Sequence, residues 1–207
     1  MLLALMDGRS LPSGELAFSA NIAPQTASGH LTKLVDAGLL AVETQGRHRY
    51  YRIAKPEVSF AIETLGELAP PRPQPEPPSE EARRFRFART CYGHLGGILA
   101  VKIVDSMRER RLLRITSDRQ CHLTEPGRAW LGTLGVEIEP DRLRAEGTGR
   151  YCLDWTERRP HLSGPLGRVI FNRTHELGWL ARIPGTRALR ITLKGRTEFE
   201  KRLGLRF

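Results

Sequence analysis

Along "PQTASGHLTKLVDAGLL", residues 24–40, apolar and polar positions separate cleanly onto two faces. At about 100° per residue, Ala27, Leu31, Leu34, Val35 and Gly38 fall within one arc, which predicts an amphipathic helix with that stripe turned to a core. The opposite face carries Gln25, Thr26, Gly29, Thr32, Lys33 and Asp36, with Ser28 and His30 on its flanks. An ordinary solvated face holds more long charged side chains. Short hydrogen-bonding groups around a glycine instead let the backbone come close to another surface, such as the floor of a DNA groove.

The neighbouring pattern predicts short elements in quick succession. "MLLALMDG" is a helical fragment ending at Gly8, and "PSGELAFSA" is a helix opened by Pro12 and Ser13. "LLAVET" and "RYYRIA" alternate as strands on either side of the glycine-containing turn "QGRH", which makes a wing. "PEVSFAIETLGEL" starts with a proline suited to a first turn and spaces Val58, Ala61, Ile62, Leu65 and Leu68 along one stripe. Residues 1–69 contain nothing more to cover that stripe, which points to a partner.

"APPRPQPEPPSEE", residues 69–81, then forbids a helix interior or central strand and reads as a stiff, extended spacer. The expected organisation is a domain over 1–69, a Pro-rich linker over 70–81, and a second domain over 82–207. The second domain holds a near repeat: "RLLRITSDRQCHLTEPGRAWLGTLGV" and "GWLARIPGTRALRITLKGRTEFEKRLGL" both run strand, polar turn, strand, then Thr-x-x-Gly-Arg into a helix. Longer helical stretches, 81–111 and 160–177, are expected ahead of the two copies. The fold class is therefore mainly α with small β-wings, an α+β chain whose second domain is two winged-helix-like units.

Composition changes this picture in three ways. No apolar run approaches the roughly 18 residues of a membrane span, and the N-terminus lacks a secretory signal, so a cytoplasmic protein without a membrane partner is expected. Cys91, Cys121 and Cys152 are an odd, scattered set unlike a disulfide framework, which implies reduced thiols. The net charge of +10 is uneven: 6 Lys and Arg against 7 Asp and Glu leave residues 1–69 at −1, while 26 against 13 leave residues 82–207 at +13. A basic second half suits an anionic partner, and drift toward arginine would produce the same surplus.

"GELAFSANIAPQTASGHLTKLVDAGLLAVETQGRHRYYRI", residues 14–53, resembles the winged helix-turn-helix of ArsR-type bacterial repressors. The likeness rests on Glu15-Leu16-Ala17, on Ser28-x-His30-Leu31-x-x-Leu34, on Ala37-Gly38-Leu39-Leu40, and on Gly46-Arg47 ahead of Tyr51-Arg52. It covers about a third of the chain. It implies a homodimeric repressor of double-stranded DNA. On the physical reading, a recognition helix enters the major groove, where Gln pairs with adenine and Lys with guanine. Gln25, Thr26, Gly29 and Lys33 are then placed for close approach, Ser28 and His30 for phosphate positioning or structure, and Arg47, His48 and Arg49 form a basic wing tip.

Three departures qualify the likeness. The family usually carries a dimer-building helix ahead of the segment that begins here at Met1, so either an upstream start or a different interface is expected. Ala23 stands where a serine cap is usual, which removes a bond worth roughly 1 kcal/mol. Neither "ELAFSA" nor residues 57–69 offers the family's metal ligands, so metal sensing at those positions is not expected.

Input to such a regulator is expected in residues 82–207, through a small molecule, a metal or a redox effector; no cofactor is identifiable. Cys91 and His94 are three apart and would share a helix face; Cys152, Asp154 and His161 join them only through the fold. Set among Tyr92, Tyr151 and Trp155, with Arg158 and Arg159 expected to favour thiolate, this group suits a soft metal, haem or thiol chemistry. An organic-ligand pocket lined by Tyr92 and Trp155, and simple burial of small thiols, are the alternatives. An enzyme with Cys152 as nucleophile, His161 as base and Asp154 as orienter is disfavoured by the close Cys-x-Asp spacing and the lack of a glycine-rich oxyanion loop. A non-specific architectural DNA-binding protein without a sensor is the remaining rival.

Overall fold

A computed structural model describes residues 1–46, 48–68, 79–91, 93–116, 120–136 and 148–207. The chain divides into two compact units: residues 1–70 with 184–187, and residues 71–183 with 188–207.

In the first unit a 3-10 helix, Leu2–Leu5, precedes β1 (Leu11–Pro12), α1 (Ser13–Ser19), α2 (Pro24–Asp36), β2 (Leu40–Gln45), β3 (His48–Ile53) and α3 (Pro56–Leu68). The sheet is antiparallel in the order β1-β3-β2, with Leu11 opposite Tyr51 and Leu40 opposite Ile53. Its core takes one buried side chain from each of five elements: Leu5, Leu16, Leu31, Leu40 and Tyr51. Each comes from a position where the apolar pattern turns inward. Between α1 and α2 the chain reverses through Asn21, a non-glycine at φ +52°, while Ile22 N–H closes the turn onto the Ala17 carbonyl at 3.1 Å.

Helix α2 begins at Pro24 with Ala23 as an N-cap that supplies no side-chain bond. It ends differently from the periodic reading. Gly38 is exposed and leaves the apolar arc at φ +68°, its N–H on the Val35 carbonyl and that of Leu39 on Leu34, so it stops the helix instead of packing. In α3 the expected stripe is split: Val58 is buried, Ile62 partly so, and Ala61, Leu65 and Leu68 face outward, the two leucines 66% and 80% exposed.

The second unit runs α4 (Glu80–Phe87), β4 (Arg89–Cys91), β5 (His94–Gly96), α5 (Ile98–Glu109), β6 (Leu113–Ile115), β7 (Gln120–Leu123), α6 (Glu125–Gly132), β8 (Thr148–Leu153), β9 (Pro160–Ser163), α7 (Gly164–Glu176), β10 (Leu180–Arg182), β11 (Leu189–Ile191) and α8 (Leu193–Leu203). Glu80 and Glu81, assigned to the spacer by composition, form the first turn of α4, capped by the Ser79 hydroxyl, which accepts from Ala82 N–H. Residues 69–78 of that spacer lie outside the described residues. The helical stretches expected over 81–111 and 160–177 are each interrupted by strands, β4–β5 in the first and β9 at the start of the second. Strands of three or four residues carry too little period to separate them from helix.

Strands β6-β7-β8-β9 form a four-stranded antiparallel sheet, and β4–β5 and β10–β11 are two-stranded hairpins. A continuous core joins α5, α7 and α8 to these strands through Leu99, Met107, Leu166, Phe171, Trp179 and Phe199. Two segments, α5-β6-β7-α6 and α7-β10-β11-α8, share one order of elements and one joint. Thr124 caps α6 by accepting from Gly127 N–H, and Thr192 caps α8 by accepting from Gly195 N–H. At each joint a Cβ on the glycine would overlap a backbone carbonyl, of Leu112 in one and Trp179 in the other.

Candidate functional site

The outer face of α2 is assembled by its inner one. Ala27 and Leu31 fix the helix on the core, and Gln25, Thr26, Ser28, Gly29, His30 and Lys33 are left exposed on the far side. A Cβ built on Gly29 would meet nothing within 4 Å, so the backbone there is open to whatever approaches. Thr32 is occupied in part by donating its hydroxyl to the Ser28 carbonyl at 3.1 Å.

The wing closes at Gly46, φ +61°, with Gln45 opposite His48. His48 and Arg49 are exposed near its tip, and the Arg49 guanidinium lies 5.7 Å from the Tyr51 ring centroid. Arg47, expected at the same tip, lies outside the described residues. Arg52 is tied across the ribbon to Glu43 at 3.1 Å. Among the described residues the two elements thus present hydrogen-bonding groups, Lys33 and the Arg49 guanidinium.

A second concentration of chemistry lies inside the second unit. Two antiparallel hairpins each place a cysteine directly opposite a histidine: Cys91 opposite His94 in β4–β5, and Cys152 opposite His161 in β8–β9. The ligand atoms of these four residues all lie within 4.8 Å of one another. Cys91, His94 and His161 are buried, and Cys152 is partly so. The spacing of Cys91 and His94 is therefore a hairpin spacing and not the helical one expected from sequence.

The Nε2 atoms of His94 and His161 stand 3.1 Å apart, their rings inclined at 31°. The Cys91 thiol hydrogen-bonds Cys152 and pulls its pKa down against the burial that raises it; His161 and His94 add to the pull, and Cys152 is held well below the usual thiol range. Arg158 and Arg159, expected to play that part, do not lead: Arg159 is paired with Asp105 at 2.8 Å.

Asp154 does not join the four but stands behind them. It is fully buried, and its Oδ2 is 3.7 Å from Nδ1 of His161. Both of its oxygens accept from Arg89 Nη2 at 2.8 Å, Oδ2 accepts from Gly97 N–H at 2.6 Å, and Oδ1 from Thr156 N–H and hydroxyl. Burial alone would raise its pKa, but the Arg89 guanidinium and these donors hold it well below the usual carboxylate range. Arg89, 1% exposed, lies against the rings of both Phe85 and Trp155 at 5.1 and 5.5 Å.

Trp155 is thus packed on a cation, unlike the pocket wall anticipated for it; Tyr92 lies outside the described residues. Cys121 is packed apart from the cluster, fully buried, with its thiol pKa pushed up to about 12 by burial. The close Cys-x-Asp spacing did not prevent Cys152, His161 and Asp154 from converging across a hairpin.

Sequence reasoning missed Arg89, Thr156 and the Gly96-Gly97 pair. The glycines were the signal. A Cβ at Gly96 would stand 3.2 Å from that of Cys91, and one at Gly97, φ +92°, would stand 2.6 Å from the Arg86 carbonyl. Gly97 thus takes a left-handed backbone tight against the end of α4, from which its N–H reaches Asp154 Oδ2.

No family model matches the chain. It is 44% identical, over all 207 of its residues and 91% of the relative, to a Bacillus subtilis (strain 168) protein described as the uncharacterized HTH-type transcriptional regulator YdfF. Among solved structures it is similar to the homodimeric winged helix-turn-helix DNA-binding domain (fragment 1–100) of Mb0332 from Mycobacterium bovis, described as a possible ArsR-family transcriptional regulator. That likeness has 22% identity and a TM-score of 0.30, and covers 36% of this chain and 72% of the other.

Proposed function

The chain belongs to the HTH-type transcriptional regulators, and we propose that within them it is an ArsR-like, effector-responsive repressor that binds an inverted repeat as a homodimer. Gln25, Thr26, Gly29 and Lys33 read or approach base edges, Ser28 and His30 position the helix on phosphates, and Arg47, His48 and Arg49 hold the adjoining backbone. The second unit, a pair of winged-helix-like repeats, receives the signal.

The observation that carries this reading is the exposed polar face of α2 with open space above Gly29. Support for the homodimer comes from the outward leucines of α3. Genomic fragments enriched by the full chain and then footprinted test it: paired half-sites in inverted orientation are expected. Protection of a single isolated half-site by a monomer overturns it, and equal affinity for specific and random duplexes across a salt series transfers the protein to the architectural class favoured by its basic second half.

A further inference from the structure

We propose that Cys91, His94, Cys152 and His161 form a closed zinc site that ties the β4–β5 hairpin to the β8–β9 hairpin. Four donors of two kinds converge on one point, each delivered from a cross-strand pair in which a cysteine faces a histidine. Two thiolates and two imidazoles are the donor set of tetrahedral zinc, and the group includes no oxygen ligand that would suit calcium or magnesium.

The distances agree with this. Bonds of about 2.0 Å to nitrogen and about 2.3 Å to sulfur give tetrahedral edges of roughly 3.3 to 3.8 Å. The two Nε2 atoms are 3.1 Å apart and all four ligand atoms lie within 4.8 Å of one another. A core histidine normally turns its ring nitrogens to backbone groups or water. Here two imidazoles aim the same atom at each other beside two sulfurs, an arrangement that a cation satisfies at once.

The surroundings fit a neutral centre. Two thiolates cancel the charge of a divalent ion, and the buried Arg89–Asp154 pair next to it is neutral as a whole. Asp154 stands 3.7 Å from the remaining ring nitrogen of His161, the place from which a carboxylate fixes the ring of a metal-bound histidine. All four positions come from the chain and three of the four residues are buried, so the site has no open position for a substrate. It is structural, and its metal contributes to folding of the second unit.

The test uses the full chain and zinc and cobalt ions as probes, and it is read without DNA. Protein purified without chelator is expected to hold about one zinc per chain. Replacement by Co2+ is expected to give the intense visible bands of tetrahedral cobalt with a thiolate-to-cobalt charge-transfer band. Cys152→Ser weakens that band and lowers the metal content, whereas His94→Cys keeps the stoichiometry and strengthens the band. Wild-type chain that takes up neither ion, or gives the pale spectrum of octahedral cobalt, overturns the proposal. So does a charge-transfer band that His94→Cys leaves unchanged, a result that stands even where Cys152→Ser fails to fold.

Discussion

Gly29 shows how much one absent side chain can decide. A glycine in the middle of a helix weakens it by roughly 0.5–1 kcal/mol relative to alanine, and nothing within 4 Å obstructs a Cβ at this position. Gly29→Ala is therefore expected to raise stability by about that amount in urea denaturation while weakening operator binding. Gly29→Leu keeps the fold and loses about tenfold or more in affinity, because bulk at the centre of the face holds α2 off the groove. Unchanged affinity in the leucine variant would remove this face from DNA. The polar face was legible in sequence because a 13-residue helix displays its period several times over. Cys91 and His94 were not placed on a hairpin because a separation of three suits both a helix face and a two-residue turn. Chemistry differs among the thiols too. With the Cys121 pKa raised to about 12, its thiolate fraction at pH 8 is roughly one in ten thousand. Brief alkylation of the native chain at that pH, followed by peptide mass spectrometry, should leave Cys121 unmodified, and labelling should rise only on unfolding.

At the scale of elements, the same residue type has opposite effects in different helices. Gly195 sits in the first turn of α8, where a Cβ would overlap the carbonyl of Trp179, a side chain 2% exposed that packs on Phe199 at 5.0 Å. Gly195→Ala should cost about 2 kcal/mol or more through overpacking, against about 1 kcal/mol for removing the cap with Thr192→Ala. Chemical denaturation giving the reverse order would mean that the joint can relax. The two Thr-x-x-Gly-Arg stretches were legible in sequence because cap and close approach need those residues at those spacings. Strand β1 was not, because two residues ending in proline carry no alternation to read. Helix α3 was read correctly as a helix, and its stripe divides between inside and outside. Leu65→Asp with Leu68→Asp should turn a dimer into a monomer in sedimentation equilibrium. Since both leucines are exposed in the single chain, the stability of the monomer should change by no more than about 0.5 kcal/mol per site.

For the molecule as a whole, the distribution of charge constrains how DNA is held. Residues 1–69, which contain α2 and the wing, carry 6 Lys and Arg against 7 Asp and Glu, so no general positive field draws this part of the chain to a duplex. Its binding has to come from the local placement of Lys33 and the wing cations, and one copy of so small a set makes few phosphate contacts. Two copies related by a two-fold axis double the set and fix the separation of their α2 helices, which makes half-site spacing the sensitive variable. Half-sites one turn apart, about 10 base pairs centre to centre, present the same side of the duplex to both helices. Inserting five base pairs between them rotates one half-site by roughly half a turn, and the affinity should fall to that of a single half-site; inserting ten restores the facing and should recover part of it. Titration of the full chain against the three duplexes at one salt concentration checks this. Equal affinity for all three would show that the copies bind independently, and the dimeric reading would fail.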